Sequence, residues 1–488
     1  MTTKRLNRRP PAPQVSVCGA SADRATYFEA LRRRLAIATL DRGEASGAEV
    51  GRLIERYFGG SAPDHLSTSG LEEIVQRFCF LTEPHCSACP LRYNCAHARR
   101  IKKSATENLT LADLFCGSGG LSLGFEQAGF VPVLALDNDY WSAFTYAYNR
   151  PDLPDWARIV CEDVADWNER AEVLTTPVDV LAGGVPCQSF SNANRQREVN
   201  DPRHNLFVQL FRTVDRVKPR VVLIENVSGF SQVSHSVEEH FRRHGFAARR
   251  VILDALDFGL PQRRKRLFFV GFSAAHFSDA DARAQAFVGS MLACLREVPP
   301  TLREAVGDLP ELVAQRISNR PDLESPETGL ACQFHDLNSA SAYVRAINGP
   351  RDRVAVFNHK ARYNNDRDIR IFSLLKEGEN SLSRSIRDIM PYSSRNHIFK
   401  DKYFKLRYDE PCRTITAHMR FDCNMYIHPT QARGLTVREA ARVQGFPDDY
   451  VFAGTFQSLY RQVGNAVPPP LARNLASALR QLLSAQHD

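Results

Sequence analysis

From residue 109 onward the chain alternates short apolar runs with amphipathic stretches, and this texture restricts the fold more than any other feature. The runs are LTLADLF, VPVLALD, VDVLAGG, RVVLIEN and KRLFFVG, and helical patterns such as NLFVQLFRTVDRV stand between them. Strands at that spacing, separated by helices, predict a parallel α/β sheet. From about 276 to 430 the alternation fades into polar segments such as SNRPDLESPETG and PYSSRNHIFKDKYF, rich in Arg, His, Asn and Tyr. Regular helix returns with LTVREAARVQGF at 435–446 and with PPPLARNLASALRQLLSAQ near the end. Ahead of the first strand, residues 1–20 are Arg/Pro-rich and expected to be disordered, and helices are predicted over 27–43 and 70–80.

A chain of 488 residues exceeds one ordinary core. Apolar content of 43% and charged content of 24% belong to a globular protein. No apolar run approaches the roughly 20 residues that span a bilayer. The N-terminal MTTKRLNRRPPAPQ is basic and lacks the apolar core of a secretory signal. A reducing, cytoplasmic (bacterial, nucleoid-associated) setting follows as the expectation, in which the 12 cysteines are thiols or metal ligands. A net charge of +8 favours a polyanionic partner.

Two stretches carry chemistry. LADLFCGSGGLSLGFEQAG runs strand, glycine loop, helix, and Gly117, Gly119 and Gly120 let backbone approach a ligand without a Cβ in the way. Asp137 ends the next apolar run, where ribose hydroxyls are commonly accepted, and Asp163 follows a further short strand. A dinucleotide-binding reading competes at this point, but the loop is FxGxGG rather than GxGxxG. The second stretch, LAGGVPCQSFS, sets Cys187 behind Pro186 just after an apolar run. Such a cysteine is either a small core hydrophobe or a nucleophile.

Six blocks decide between these options. DLFCGSGGLSLGF, GGVPCQSFS, ENV at 225–227, DFGLPQRRKRLFFVG, LTVREAARVQGFPDDY and VGNAVPPPLA occur in an order that resembles the cytosine-5 DNA methyltransferases. The resemblance implies an S-adenosylmethionine-dependent (Rossmann-like) methyltransferase sheet of seven strands, with the cofactor at the carboxyl ends of its strands. It implies Cys187 as the nucleophile towards carbon 6 of cytosine, Glu225 as the acid at ring nitrogen 3, and Arg266 near the exocyclic oxygen. It further implies that Phe115 and the loop of Gly117, Gly119 and Gly120 line the cofactor site, with Asp137 at the ribose and Asp163 at the adenine. Asn465 would close that pocket and Pro186 would shape the loop beside the base. After the cysteine the text is NANRQREVNDPRHN, with Asn194 and His204 where the family commonly has glycine, in what should be the loop closing over a flipped base. The segment from 276 to 430 is where the family places sequence recognition, with Arg395, Asn396, His397, Lys400, Lys402 and RTITAHMRFD as candidate contacts. The implied partner is double-stranded DNA, with a cognate restriction endonuclease acting on the same site. An RNA cytosine-5 methyltransferase and a non-catalytic DNA-binding regulator are the alternatives.

The expected organisation is therefore a partly disordered basic segment (1–50), a helical four-cysteine metal-cluster module (51–107) and the methyltransferase catalytic domain (108–275). A target-recognition domain (276–430) and a segment completing the catalytic domain (431–488) follow. The module rests on CFLTEPHCSACPLRYNC, which places Cys79, Cys86, Cys89 and Cys95 at Cx6Cx2Cx5C. Zinc binds four cysteines but usually as two CxxC-type pairs separated by a longer span. The spacing here resembles the [4Fe-4S] loop of endonuclease III-type DNA glycosylases, with zinc the alternative ligand-compatible metal. Protein purified without oxygen should then be brown and hold about four irons per chain, and Cys86→Ala should bleach it. Stoichiometric zinc without iron, measured by elemental analysis, would refute the cluster.

Overall fold

The computed structural model describes residues 109–484 apart from 151–152, 154–156, 172–173, 175, 186–203, 230–233, 295–297, 319–323, 331 and 392–401, together with Ser16–Val17. Pro186, Cys187, Cys79, Cys86, Cys89, Cys95, Asn194, Arg395, Asn396, His397 and Lys400 lie outside the described residues, as do the helices predicted at 27–43 and 70–80.

Seven strands form the central sheet: β1 (Leu109–Leu114), β2 (Phe130–Asp137), β3 (Arg158–Cys161), β4 (Val180–Gly184), β5 (Val221–Val227), β6 (Phe246–Asp254) and β7 (Lys265–Ser273). Their spatial order is β3-β2-β1-β4-β5-β7-β6, with Ser16–Val17 laid antiparallel outside β3. The first five strands run parallel, whereas β7 is antiparallel to both β5 and β6. The sheet is therefore mixed, not wholly parallel as the apolar runs predict. The reason is local. Only a short 3-10 turn, Ala255–Phe258, and a few further residues join β6 to β7, too little chain for a parallel crossover.

Alternate side chains of the buried strands feed two cores on opposite faces. Leu111, Val180, Ala182, Val221, Leu223, Phe268, Val270 and Phe272 meet helices α1 (Gly120–Gln127), α6 (Ala280–Leu292) and α12 (Pro469–Ser484). Ala112, Leu114, Leu181, Val222, Ile224, Leu267 and Phe269 meet α3 (Val164–Glu169), α4 (His204–Val217) and α5 (Ser234–Arg243). Helix α2 (Tyr140–Tyr148) adds Tyr146 and Ala147 to a smaller cluster beside β2 and β3. The period of two along each strand thus becomes a three-layer sandwich.

The irregular region carries the short helices α7 (Leu302–Val306), α8 (Ala342–Asn348) and α9 (Asp366–Leu374). An antiparallel pair, β8 (Cys332–Asp336) and β9 (Arg353–Phe357), lies among them. Helices α10 (Val437–Val443) and α11 (Phe456–Asn465) then lead into α12. Pro469 and Pro470 sit in the first turn of α12, where missing N–H groups break no helical bond. No helix among the described residues is long and apolar enough to cross a membrane.

Helix α12 also packs closely on α1. A Cβ added to Gly124 in α1 would come within 2.5 Å of Ala472 Cβ, the Arg473 nitrogen and the Pro469 carbonyl oxygen. Two of those three atoms are backbone and cannot rotate away. Gly124→Val should therefore separate α1 from α12 and lower unfolding stability by about 1–3 kcal/mol, read from urea titration. An unchanged midpoint would show that the two helices slide without loss.

Candidate active site

The carboxyl ends of the five parallel strands open into one cavity of about 540 Å³. In an open α/β sheet that edge is where ligands bind. Phe115 follows β1, Asp137 ends β2, Asp163 follows β3, Gly184 ends β4 and Glu225 lies in β5, and all five line the cavity. Because β7 runs the other way, its first residues reach the same edge and bring Arg264 and Arg266 into the wall. Helix α11 closes the opposite side with Arg461, Gln462, Gly464 and Asn465.

The glycine loop is held in an unusual backbone path. Phe115, Gly117 and Gly119 have φ of 56°, 54° and 84°, the left-handed region that glycine occupies without penalty. A Cβ built on Gly117 meets no atom within 4 Å, so the glycine keeps part of the cavity empty. Gly117 donates its N–H to Asp137 Oδ2 at 2.8 Å, and Asp139 donates to Oδ1 at 2.8 Å. Burial pushes Asp137 up to about 6 despite these two donors. Asp163 caps α3, accepting from the Ala165 N–H at 2.9 Å through one carboxylate oxygen. Gly119 is not in the cavity lining; it closes the turn by donating to the Cys116 carbonyl at 2.9 Å.

At the far side Glu225 and Arg266 are in contact, Oε1 to Nε at 2.9 Å, both largely buried. Their register is fixed by the sheet, since β5 pairs with β7 through Val227 opposite Arg266 and Glu225 opposite Phe268. The next residue, Asn226, donates to the Val185 carbonyl at 3.2 Å and so ties β5 to the wall where β4 ends. Eight of the residues singled out from the sequence thus meet in one cavity: Phe115, Gly117, Gly120, Asp137, Asp163, Glu225, Arg266 and Asn465.

Several lining groups were not anticipated. Arg264 is buried and donates to the carbonyls of Ile415 at 2.7 Å, Gly464 at 3.2 Å and Ala466 at 2.9 Å. Arg461 is ion-paired with Asp139 across the cavity. His418, Arg420 and Phe421 also line it, from the RTITAHMRFD stretch that the sequence did offer as candidate contacts. The alternation in QRRKR was a usable signal for Arg264, because positions 262, 264 and 266 share one side of an extended chain.

Asp113, also in the wall, accepts from Ser122 Oγ at 2.6 Å, and Tyr146 donates to that hydroxyl at 2.8 Å. Burial pushes Asp113 from its ordinary 3.8 up to about 7. The folded chain therefore holds a proton that the unfolded chain releases. The stability this supplies is complete below about pH 4 and is lost as pH rises through about 7. Asp113→Asn keeps an acceptor for Ser122 without a charge. Its melting temperature should fall less than the native protein's between about pH 5 and 7.5, the rest of the fall belonging to Asp137. An unaltered pH profile would show that Asp113 is ionised throughout.

Comparison with known proteins bears directly on this cavity. Residues 109–481 match the family described as C-5 cytosine-specific DNA methylase. The type II methyltransferase M.DdeI of Desulfomicrobium norvegicum is 31% identical over 76% of this chain and 88% of its own length. M.AgeI of Thalassovita gelatinovora is 31% identical over 76% of this chain and 99% of its own. A solved structure from E. coli, a prophage-encoded protein described as a DNA modification methyltransferase, superposes with a TM-score of 0.58 at 25% identity. It covers 78% of this chain and 100% of that one.

Proposed function

Because this chain belongs to the C-5 cytosine-specific DNA methylase family, and is a DNA (cytosine-5-)-methyltransferase, we propose that it attacks a cytosine extruded from duplex DNA with Cys187. Its relatives are type II methyltransferases, and it takes the same place as the modification enzyme of a restriction–modification system. A restriction endonuclease acting on the same site is the proposed counterpart. The observation that carries the mechanism is the Glu225–Arg266 contact on a cavity shared with the glycine loop. Only Pro186 separates Cys187 in sequence from Val185, which lines that cavity.

S-adenosylmethionine, the cofactor the family implies, supplies an electrophilic methyl group on a sulfonium. The cavity suits it. Space is left at Gly117, and the acidic lining of Asp137, Asp139 and Asp163 offers acceptors for ribose hydroxyls and for an amino group. Asp137 would accept from the ribose, Asp163 from the adenine amino group, and Phe115 and Asn465 would bound the site.

Carbon 5 of cytosine is a poor nucleophile until a thiolate adds to carbon 6. In the proposed step Cys187 forms the sulfur–carbon bond, and the displaced electron pair moves into the ring. Glu225, as the acid, delivers a proton to ring nitrogen 3 as that charge arrives. Arg266 stabilises the exocyclic oxygen. Nitrogen 3 and that oxygen are neighbouring positions on one ring, so an acid and a guanidinium already in contact can serve both. Carbon 5 then takes the methyl group, loses its proton to a base, and the thiolate leaves. The target atom is unreachable in a stacked duplex, which is why the base must be extruded.

For the N-terminal segment the proposal is a [4Fe-4S] cluster, or zinc, on Cys79, Cys86, Cys89 and Cys95, supported by their spacing.

Bisulfite sequencing of host DNA after expression should reveal 5-methylcytosine at one sequence, and its absence would overturn the assignment. With 5-fluorocytosine at that site the native protein should form a stable covalent adduct. Cys187→Ser should form none and lose turnover by at least about a thousandfold while still binding DNA. An adduct with the mutant would remove Cys187 from its role.

A further inference from the structure

The region between residues 276 and 430 ends near the cavity in a 3-10 turn, Ala417–Arg420, followed by Phe421. Residues three apart eclipse in that geometry, so His418 and Phe421 share one side of the turn. Their ring centroids are 5.3 Å apart, edge to face. Met419 points the other way and is fully buried. The Arg420 guanidinium lies 4.5 Å from the Phe421 ring centroid. Yet Phe421 remains 56% exposed, at the rim of the cavity it lines with Ala417, His418 and Arg420.

This exposure is built. Arg362 donates to three successive carbonyls, Met419 at 2.8 Å, Arg420 at 3.3 Å and Phe421 at 2.6 Å. Phe421 donates its own N–H to the His418 carbonyl at 3.0 Å. With its carbonyls turned towards Arg362, the turn presents its rings outward and holds them there. Burying a phenyl ring is favourable, so a ring fixed at the rim of a cavity offers apolar area to something that arrives. Flat aromatic area beside a guanidinium is the composition that stacks on unpaired bases.

We propose that Phe421, backed by His418 and Arg420, is a stacking surface for a nucleobase of the DNA substrate next to the extruded cytosine. The inference rests on the base extrusion proposed above. Removing cytosine from the helix exposes a face of its neighbour, and an aromatic ring held at the rim replaces the lost stack.

The test uses the full chain, S-adenosylmethionine and a duplex carrying the site mapped by bisulfite sequencing. Phe421→Ala and Phe421→Leu should each raise the KM for the duplex by at least about fivefold, the lower end of one base–aromatic stack. Phe421→Trp should stay within about twofold of the native value, because indole also stacks. Cofactor affinity, titrated without DNA, should be unchanged in all three. Leucine performing as well as tryptophan would overturn the proposal, since apolar area alone would then suffice. An unchanged KM for alanine would overturn it too, and so would a fall in cofactor affinity, which would place the ring over the cofactor. If the native protein transfers no methyl group to any DNA, the family mechanism itself has failed, which separates that outcome from the others.

Discussion

The cavity depends on how two carbonyls of the glycine loop find donors. Ser118 and Gly119 are buried in this left-handed turn, where an unpaired carbonyl is costly. Tyr450 donates its hydroxyl to the Ser118 oxygen, and Arg150 donates to the Gly119 oxygen at 3.0 Å, beside the Leu123 N–H that reaches the same oxygen at 2.9 Å. The same guanidinium donates to the Tyr450 oxygen at 3.1 Å and pairs with Glu126 at 2.8 Å. It also lies 3.9 Å from the Tyr146 ring centroid. One buried cation thus joins the loop, α1, α2 and a segment some 300 residues away in sequence. The loop's shape is a tertiary property, because its neighbours along the chain supply only the glycines that permit it.

Tyr450 can serve only if its own segment is rigid, and buried arginines make it so. Arg438 donates to the Phe357 carbonyl at 2.6 Å, the Pro447 carbonyl at 2.7 Å and the Tyr450 carbonyl at 2.5 Å. Arg442 pairs with Asp448 at 2.7 Å and with Asp308 at 2.5 Å, and Arg351 pairs with Asp449 at 2.7 Å. Burial works against the Glu439 carboxylate, but the Arg433 guanidinium at 2.6 Å holds it below the usual range. Glu439 also completes the capping box with Thr436 at the start of α10. Desolvating so many charges is expensive, and each is retained only because its partners are already in place. The gain is a segment with few alternative arrangements, which suits a part that must present one hydroxyl to one carbonyl.

How much of this was legible in the sequence follows from the range of each signal. The strands leading to Asp137 and Glu225 were visible because burial on both faces writes continuous apolar runs. Strand β6 was not, because FAARRVILD sits at the sheet edge and keeps Arg250 and Ile252 exposed. The direction of β7 was missed for a related reason, since an apolar run says nothing of polarity once its neighbour is unseen. Glu225 and Arg266 were found by motif, and strand register then explains their contact. Arg150 was not singled out, and Tyr450 stood only as the last residue of LTVREAARVQGFPDDY, as nothing local in NRPDL or PDDYVF tells which carbonyl they will meet. The rim ring Phe421 was within the RTITAHMRFD stretch, but its exposure is set by Arg362, far off in the chain.

The two arginines on one side of QRRKR show how the Glu225–Arg266 pair is kept in step with the wall proposed to hold the cofactor. Arg264, just ahead of β7, and Arg266 within it both line the same edge, yet they do different work. Arg264 is spent on backbone, fastening β7 to Ile415 in the irregular region and to Gly464 and Ala466 at the end of α11. Gln262 adds a bond to the Val443 carbonyl at 3.1 Å and to Gln444 Oε1 at 2.6 Å. Arg266 is left for Glu225. Since α11 carries Arg461 and Asn465 into the cavity, any displacement of that helix is transmitted through Arg264 to the strand bearing Arg266. A guanidinium that touches only carbonyls therefore sets the distance between the group that would bind the cytosine oxygen and the wall that would hold the cofactor. That distance is what a transfer between two bound partners has to keep constant.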